Sequence, residues 1–368
     1  AKSYGPQYAG TLVYAFLYHI LGLTFQSHYL LVSTILLIFT SFMLVSSGGT
    51  LTYMAAKYVT GNRLKALFVS ISLVFGSLLT GGINIRNEET FGYWIFICVY
   101  ALTFLPLKHK VWPIVLTLLL YYSVFSLPIV ILLMPLGLFR IYQSGGKNVL
   151  KTFILTNILC IGTIFVHNFL IFGRFVFSNY TIGEELNPGY RLGQFAFSWP
   201  NWIEKLQFYF LNPQTSILTN YPLIILGFTG IWMSKQSTLT KLVTFATVLG
   251  FAFYITNIGE LTGWVGFGSG RYMLGVFPVT YIYLAYVMKK FNPILWILMT
   301  VTGVISISNG LFFYFSPVRN VFDRSGDHFA HLPFGQYFFI QIAILVIGIL
   351  AMTIIFNSYK NSLHSHTK

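Results

Sequence analysis

The sequence predicts an all-α polytopic membrane protein, with about eleven transmembrane helices in this chain and at least twelve in an intact protein. Three observations predict it. The first is composition. Hydrophobic residues make up 56% of the chain, aromatic residues 18% and charged residues only 8%, with a mean hydropathy of +0.73. A soluble domain carries roughly 25% charged residues, and a chain of this length in water has no core large enough to hide so much apolar surface. The second is the spacing of the apolar runs, each at or near the length that crosses a hydrocarbon core of roughly 30 Å. The third is the way the few charges sort between the runs.

In chain order the runs lie at 29–58, 63–81, 89–106, 111–126, 127–143, 148–172, 219–234, 238–257, 271–288, 292–315 and 335–357. The pair 111–126 and 127–143 is short, and Ser126-Leu127-Pro128 is the turn signal that divides it. When the connections alternate between two sides, one side receives Lys57, Arg63, Lys65, Lys108, Lys110, Arg140, Lys147, Lys151, Lys235, Lys241, Lys289, Lys290, Lys360 and Lys368, and no acid. The other receives every acid: Glu88, Glu89, Glu184, Glu185, Glu204, Glu260, Asp323 and Asp327. One missed or invented span would scramble this sorting. Cytoplasmic loops collect Lys and Arg, so the basic side is expected to be cytoplasmic and the acids extracytoplasmic, as in a bacterial inner-membrane protein.

The expected organisation follows. Residues 1–28 form an outer loop with an interfacial helix, 29–172 a module of six spans, and 173–218 an outer loop with an amphipathic helix. Residues 219–357 form a module of five spans and 358–368 a cytoplasmic tail. Residues 1–28 fall outside on this scheme, which places a further helix upstream of Ala1. In SWPNWIEKLQFYFLNP, Ser198 can cap a helix and Pro200 suits its first turn. Trp202, Leu206, Tyr209 and Phe210 then share one face, with Glu204, Lys205 and Gln207 away from it. Cys98 and Cys160 lie inside apolar runs and read as packing residues.

Several function classes are set aside. The net charge of +14 reports orientation rather than nucleic acid. The basic loops hold no carboxylate for Mg²⁺ and no Walker motif, which argues against an ATP or nucleotide-sugar site there. The span middles hold no Asp, Glu, Lys or Arg, which argues against an ion-coupled pump. What remains is an outer rim of carboxylates, cations and aromatics, suited to a lipid-borne substrate. A departing phosphate wants Arg or Lys, and an acceptor hydroxyl wants a carboxylate base. The stretch Arg86-Asn87-Glu88-Glu89 offers both signs within four residues.

Those residues belong to a larger pattern. SYGPQYAGTLVYAFLYHILG from Ser3, NEETFGYWIFICVYALTFL from Asn87, HNFLIFGRFVFSNY from His167, LNPQTSILTNYPLIILGFTGIW from Leu211 and GFGSGRYMLGVFPV from Gly266 follow in order. Together they resemble the C-type (GT-C) membrane glycosyltransferases. These polyprenyl-phosphate-sugar-dependent enzymes include protein O-mannosyltransferases and the aminoarabinose transferase of lipid A. Thr90 stands where that family often has Pro, and Ser269 and Gly270 are extra in the Arg271 motif.

The resemblance implies transfer of a sugar from a polyprenyl-phosphate carrier to a glycan, lipid or protein acceptor on the extracytoplasmic face. It places the usual base in a first outer loop, and nothing acidic precedes Glu88 here, so that base is expected upstream of Ala1. Glu89, with Glu88, would support it as the carboxylates of the site. Arg271, Arg86 and Lys2 would receive the phosphate, and Tyr4, Tyr272 and Asn168 would contact substrate. The resemblance implies no definite cofactor, and a divalent metal is left open. The partners are the lipid-linked donor, membrane lipid and an acceptor. Plainer readings stand beside these: a solvated loop for Glu88 and Glu89, a headgroup anchor for Arg271, a hydrogen-bonded packing pair for His167 and Asn168. The alternatives in function are a lipid-linked sugar flippase or exporter, and a polysaccharide polymerase or ligase with a lipid-diphosphate donor. Asp323, Asp327, His328 and His331 read as a solvated loop rather than a metal site. Asn179-Tyr180-Thr181 fits a glycosylation sequon.

Overall fold

A computed structural model of the chain describes residues 29–77, 88–106, 111–126, 128–145, 150–175, 199–211, 217–257, 275–289 and 293–315, with the single positions 79 and 109. These residues are almost entirely helical. In order they form α1 (Tyr29–Thr60), α2 (Arg63–Phe75), α3 (Glu88–Leu102), α4 (Trp112–Ser126) and, after a 3₁₀ stretch (Pro128–Leu133), α5 (Met134–Gly145). Next come α6 (Leu150–Phe172) and α7 (Trp199–Leu206), which runs into a π-helical stretch (Gln207–Leu211), and a single turn (Ile217–Asn220). The last are α8 (Leu223–Met233), α9 (Thr238–Asn257), α10 (Val276–Tyr281), α11 (Leu284–Lys289) and α12 (Pro293–Phe315).

Among the described residues, no helix is long and apolar enough to cross a membrane. This overturns the expected polytopic fold of eleven transmembrane helices and, with it, the integral inner-membrane localisation. The physical reason is clearest where expected spans became short helices. About 20 continuous residues are needed to cross. The runs 63–81, 89–106, 111–126 and 219–234 form helices of 13, 15, 15 and 11 residues. The run 127–143 splits at Met134 between a 3₁₀ stretch and a helix of 12 residues. The run 271–288 yields two helices of six. The expected run 335–357 and the interfacial helix of 1–28 lie outside the described residues.

The core gathers where α1, α2, α3 and α8 meet α10 and α11, around Trp94, Tyr93, Tyr100, Phe96, Tyr281, Tyr283 and Phe277. The α1–α2 reversal is local chemistry. Gly61 takes φ +68°, in the left-handed region that favours glycine. Asn62 then caps α2, its side chain accepting from the Lys65 amide at 3.1 Å. Helix α8 lies against the chain of α10 and α11 closely enough that a Cβ on Gly230 would sit 2.2 Å from the Tyr283 carbonyl oxygen. Large apolar side chains remain exposed along α6, α9 and α12, among them Leu155, Ile158, Leu170, Leu249, Ile297 and Val304. Apolar surface of that extent is uncommon on a monomer in water.

Candidate functional site

Among the described residues, several of the cations expected on the basic side come close together in space. Lys57 is in the last turn of α1, and Arg63 and Lys65 open α2. Lys289 ends α11, and Lys235 and Lys241 flank the start of α9. These helix ends meet. Lys65 Nζ donates to the Met288 carbonyl at 2.8 Å and lies 5.5 Å from the Trp296 ring centre. Lys241 Nζ donates to the Trp232 carbonyl at 2.8 Å. Both lysines thus satisfy carbonyls that the last turns of α11 and α8 leave without an intrahelical partner, where the helix dipole also favours a cation.

Arg140 sits within this basic end, 8% exposed, on α5. Its guanidinium lies 4.2 Å above the Phe104 ring centre. Nη2 points to the Thr103 carbonyl and Nη1 to Gln143 Oε1, each at 3.5 Å, and Nε is buried without a hydrogen-bond partner. Both contacts are longer than the usual 2.7–3.2 Å range. Among the described residues no carboxylate pairs with it. Glu88 and Glu89 open α3, and Thr103 follows the far end of that helix, about 20 Å away at 1.5 Å per residue. Glu204 is on α7, whose Trp202 meets Phe253 at 6.2 Å, while Gln143 donates to Thr240 at 2.7 Å near the opposite end of α9. A buried guanidinium without a carboxylate costs several kcal/mol, and a ring face returns only about 0.5–2 kcal/mol.

Aromatic and polar groups line the surroundings. Phe104 packs edge-to-face on Tyr100 at 5.3 Å and on Tyr283 at 5.6 Å, and Tyr283 stacks on Tyr286 at 5.8 Å. Tyr283 donates to Gln236 at 2.7 Å, and Thr240 shares a 2.8 Å contact with Ser237. The Tyr100 hydroxyl is buried and makes no hydrogen bond of ordinary geometry. Burial, then the neighbouring Tyr283, holds its pKa well above the usual phenol value, and Arg140 opposes this.

The residues expected to form a transferase site are only partly in view. Glu88 and Glu89 begin α3, where the helix dipole favours carboxylates. Asn168 is 2% exposed on α6, its Oδ1 3.2 Å from His167 Nδ1. Lys2, Tyr4, Arg86, Arg271 and Tyr272 lie outside the described residues, as do Asn179, Asp323, Asp327, His328 and His331. The expected polar face of α7 differs in one respect: Lys205 is buried at 7% exposed, whereas Ile203 is exposed. Burial lowers the Lys205 pKa and Glu204 partly restores it. Among the described residues no group of three His, Cys, Asp or Glu could hold a metal ion.

Arg140 was legible in sequence only as one more cation on the basic side. The available signal was a lone Arg inside the apolar run MPLGLFRIY, with Phe104-Leu105-Pro106 closing an earlier run. No family model, curated protein or solved structure matches the chain.

Proposed function

We propose that the chain is a glycosyltransferase that moves a sugar from a polyprenyl-phosphate carrier to an acceptor hydroxyl. The observation that carries the reading is the ordered set of motifs from Tyr4 to Tyr272, with the pair Glu88-Glu89 at its centre. The opening of α3 by that pair, at the end of the helix away from Arg140, supports it further. In this reading Glu89 is a carboxylate that assists removal of the acceptor proton, with Glu88 beside it. Arg271 and Arg86 take up the negative charge that grows on the departing phosphate.

The test is transfer of labelled sugar from a polyprenyl-phosphate-sugar by the full chain, with Glu89→Gln and Arg271→Ala alongside. Loss of a general base lowers rate by about 10²–10⁴, and loss of one charge-stabilising donor by about 10²–10³. Unchanged transfer in both variants would make the site assignment wrong. A lipid-diphosphate sugar in the same assay separates this reading from a polymerase or ligase.

A further inference from the structure

We propose that Arg140 is the centre of a phosphate-binding site at the basic end of the bundle, one that recognises a phosphate group either free or in a lipid headgroup. The reading does not depend on the transferase proposal, because Glu88 and Glu89 lie at the other end of α3.

Four observations carry it. Arg140 is more than nine-tenths buried and its Nε has no partner. Its two polar contacts are long, so the terminal nitrogens also retain hydrogen-bonding capacity. The Tyr100 hydroxyl, on the same Phe104 platform, is a second buried donor, with Tyr283 as its polar neighbour and no hydrogen bond of ordinary geometry. Lys65, Lys241 and Lys289 share this end of the bundle, so the field there attracts an anion. A phosphate oxygen matches this set. Guanidinium N–H groups and a phenol O–H all donate, and phosphate accepts from several donors at once. A carboxylate side chain would serve the same purpose in an ordinary core, and the described residues supply none to Arg140.

The experiment titrates the purified full chain with inorganic phosphate, followed by ³¹P line broadening and thermal shift. In parallel it measures flotation with phosphatidylcholine vesicles with and without phosphatidic acid. The variants are Arg140→Gln, Tyr100→Phe and Lys235→Gln, the last removing one exposed charge from the same end. Saturable binding is expected, weakened about tenfold to a hundredfold by Arg140→Gln, the loss expected for one charge-assisted hydrogen bond. Tyr100→Phe keeps the ring packing and is expected to weaken it by a smaller factor. Lys235→Gln is expected to change it little.

Response to free phosphate identifies a soluble ligand, and response only to phosphatidic acid vesicles identifies a headgroup; either supports the site. Thermal stability in phosphate-free buffer guards against misfolding, because Arg140→Gln removes a buried charge that has no carboxylate among the described residues and is expected to leave it equal or higher. The proposal is overturned if neither probe binds, if Arg140→Gln binds like the parent, or if Lys235→Gln weakens binding as much as Arg140→Gln. A marked fall in stability of Arg140→Gln would also overturn it, since Arg140 would then be a structural cation.

Discussion

Gly230→Ala tests the packing that holds the two halves of the described bundle together. An ideal Cβ at Gly230 falls 2.2 Å from the Tyr283 carbonyl oxygen, 2.7 Å from its carbonyl carbon and 3.1 Å from its Cβ. The first two are backbone atoms of the neighbouring chain, so no side-chain rotation relieves the clash. Ordinary van der Waals contact begins near 3.4 Å, and α8 must therefore retreat by about 1 Å. A gap of 0.5–1 Å forfeits a quarter to a half of each dispersion contact across it, and overpacking of this kind costs about 1–3 kcal/mol, sometimes more. Alanine's helix propensity returns up to about 1 kcal/mol. The net is a loss of about 2 kcal/mol. At about 2.1 cal/mol/K per residue, a chain of 368 residues loses about 3 °C in Tm.

Gly162 in α6 and Gly250 in α9 are the controls, because a Cβ at either meets nothing within 4 Å. Alanine there is expected to raise Tm by about 1 °C through helix propensity alone. The assay is thermal unfolding of the purified chain followed by helix circular dichroism. If Gly230→Ala equalled or exceeded the parent while the two controls behaved as expected, the close approach of α8 to Tyr283 would be wrong.

Burial holds the phenols of Tyr100, Tyr221 and Tyr281 above their usual value. A raised folded pKa gives stability that is intact below the unfolded value near 10 and is lost as pH rises beyond it. These tyrosines should therefore ionise only with unfolding, as a late step in absorbance at 295 nm; a single step near pH 10 with helicity intact would contradict this. Burial pushes the Cys98 thiol up to about 12, so at pH 8 it should react with a thiol reagent about a thousandfold more slowly than an ordinary cysteine, and normally after denaturation. Tyr281→Phe removes a 2.6 Å hydrogen bond to the Gly76 carbonyl and should cost about 1–2 kcal/mol, read in the same thermal assay. Asn62→Ala removes the α2 cap and should cost about 1 kcal/mol; no change would mean that the cap contributes nothing.

The sequence by itself determined which segments are helical and which end of each carries charge. Apolar runs between turn signals became helices, and Asn62, Gly61 and Pro128 punctuate the chain as their chemistry requires. The grouping of Lys57, Arg63, Lys65, Lys235, Lys241 and Lys289 needed only sequence order, and in space Lys65 and Lys241 sit on helix-terminal carbonyls. Tertiary structure decided where other helices break. The run 271–288 divides between Tyr281 and Leu284, three residues past Pro278 and with neither Gly nor Pro at the break itself. It also decided which polar groups are enclosed. Lys205 reads as solvent-facing by helical period but is covered. Arg140 became a buried cation with no carboxylate among the described residues because Phe104, Tyr283 and Gln143, distant in sequence from one another, close around it. Periodicity describes one helix at a time, and burial of a charge depends on what its neighbours bring.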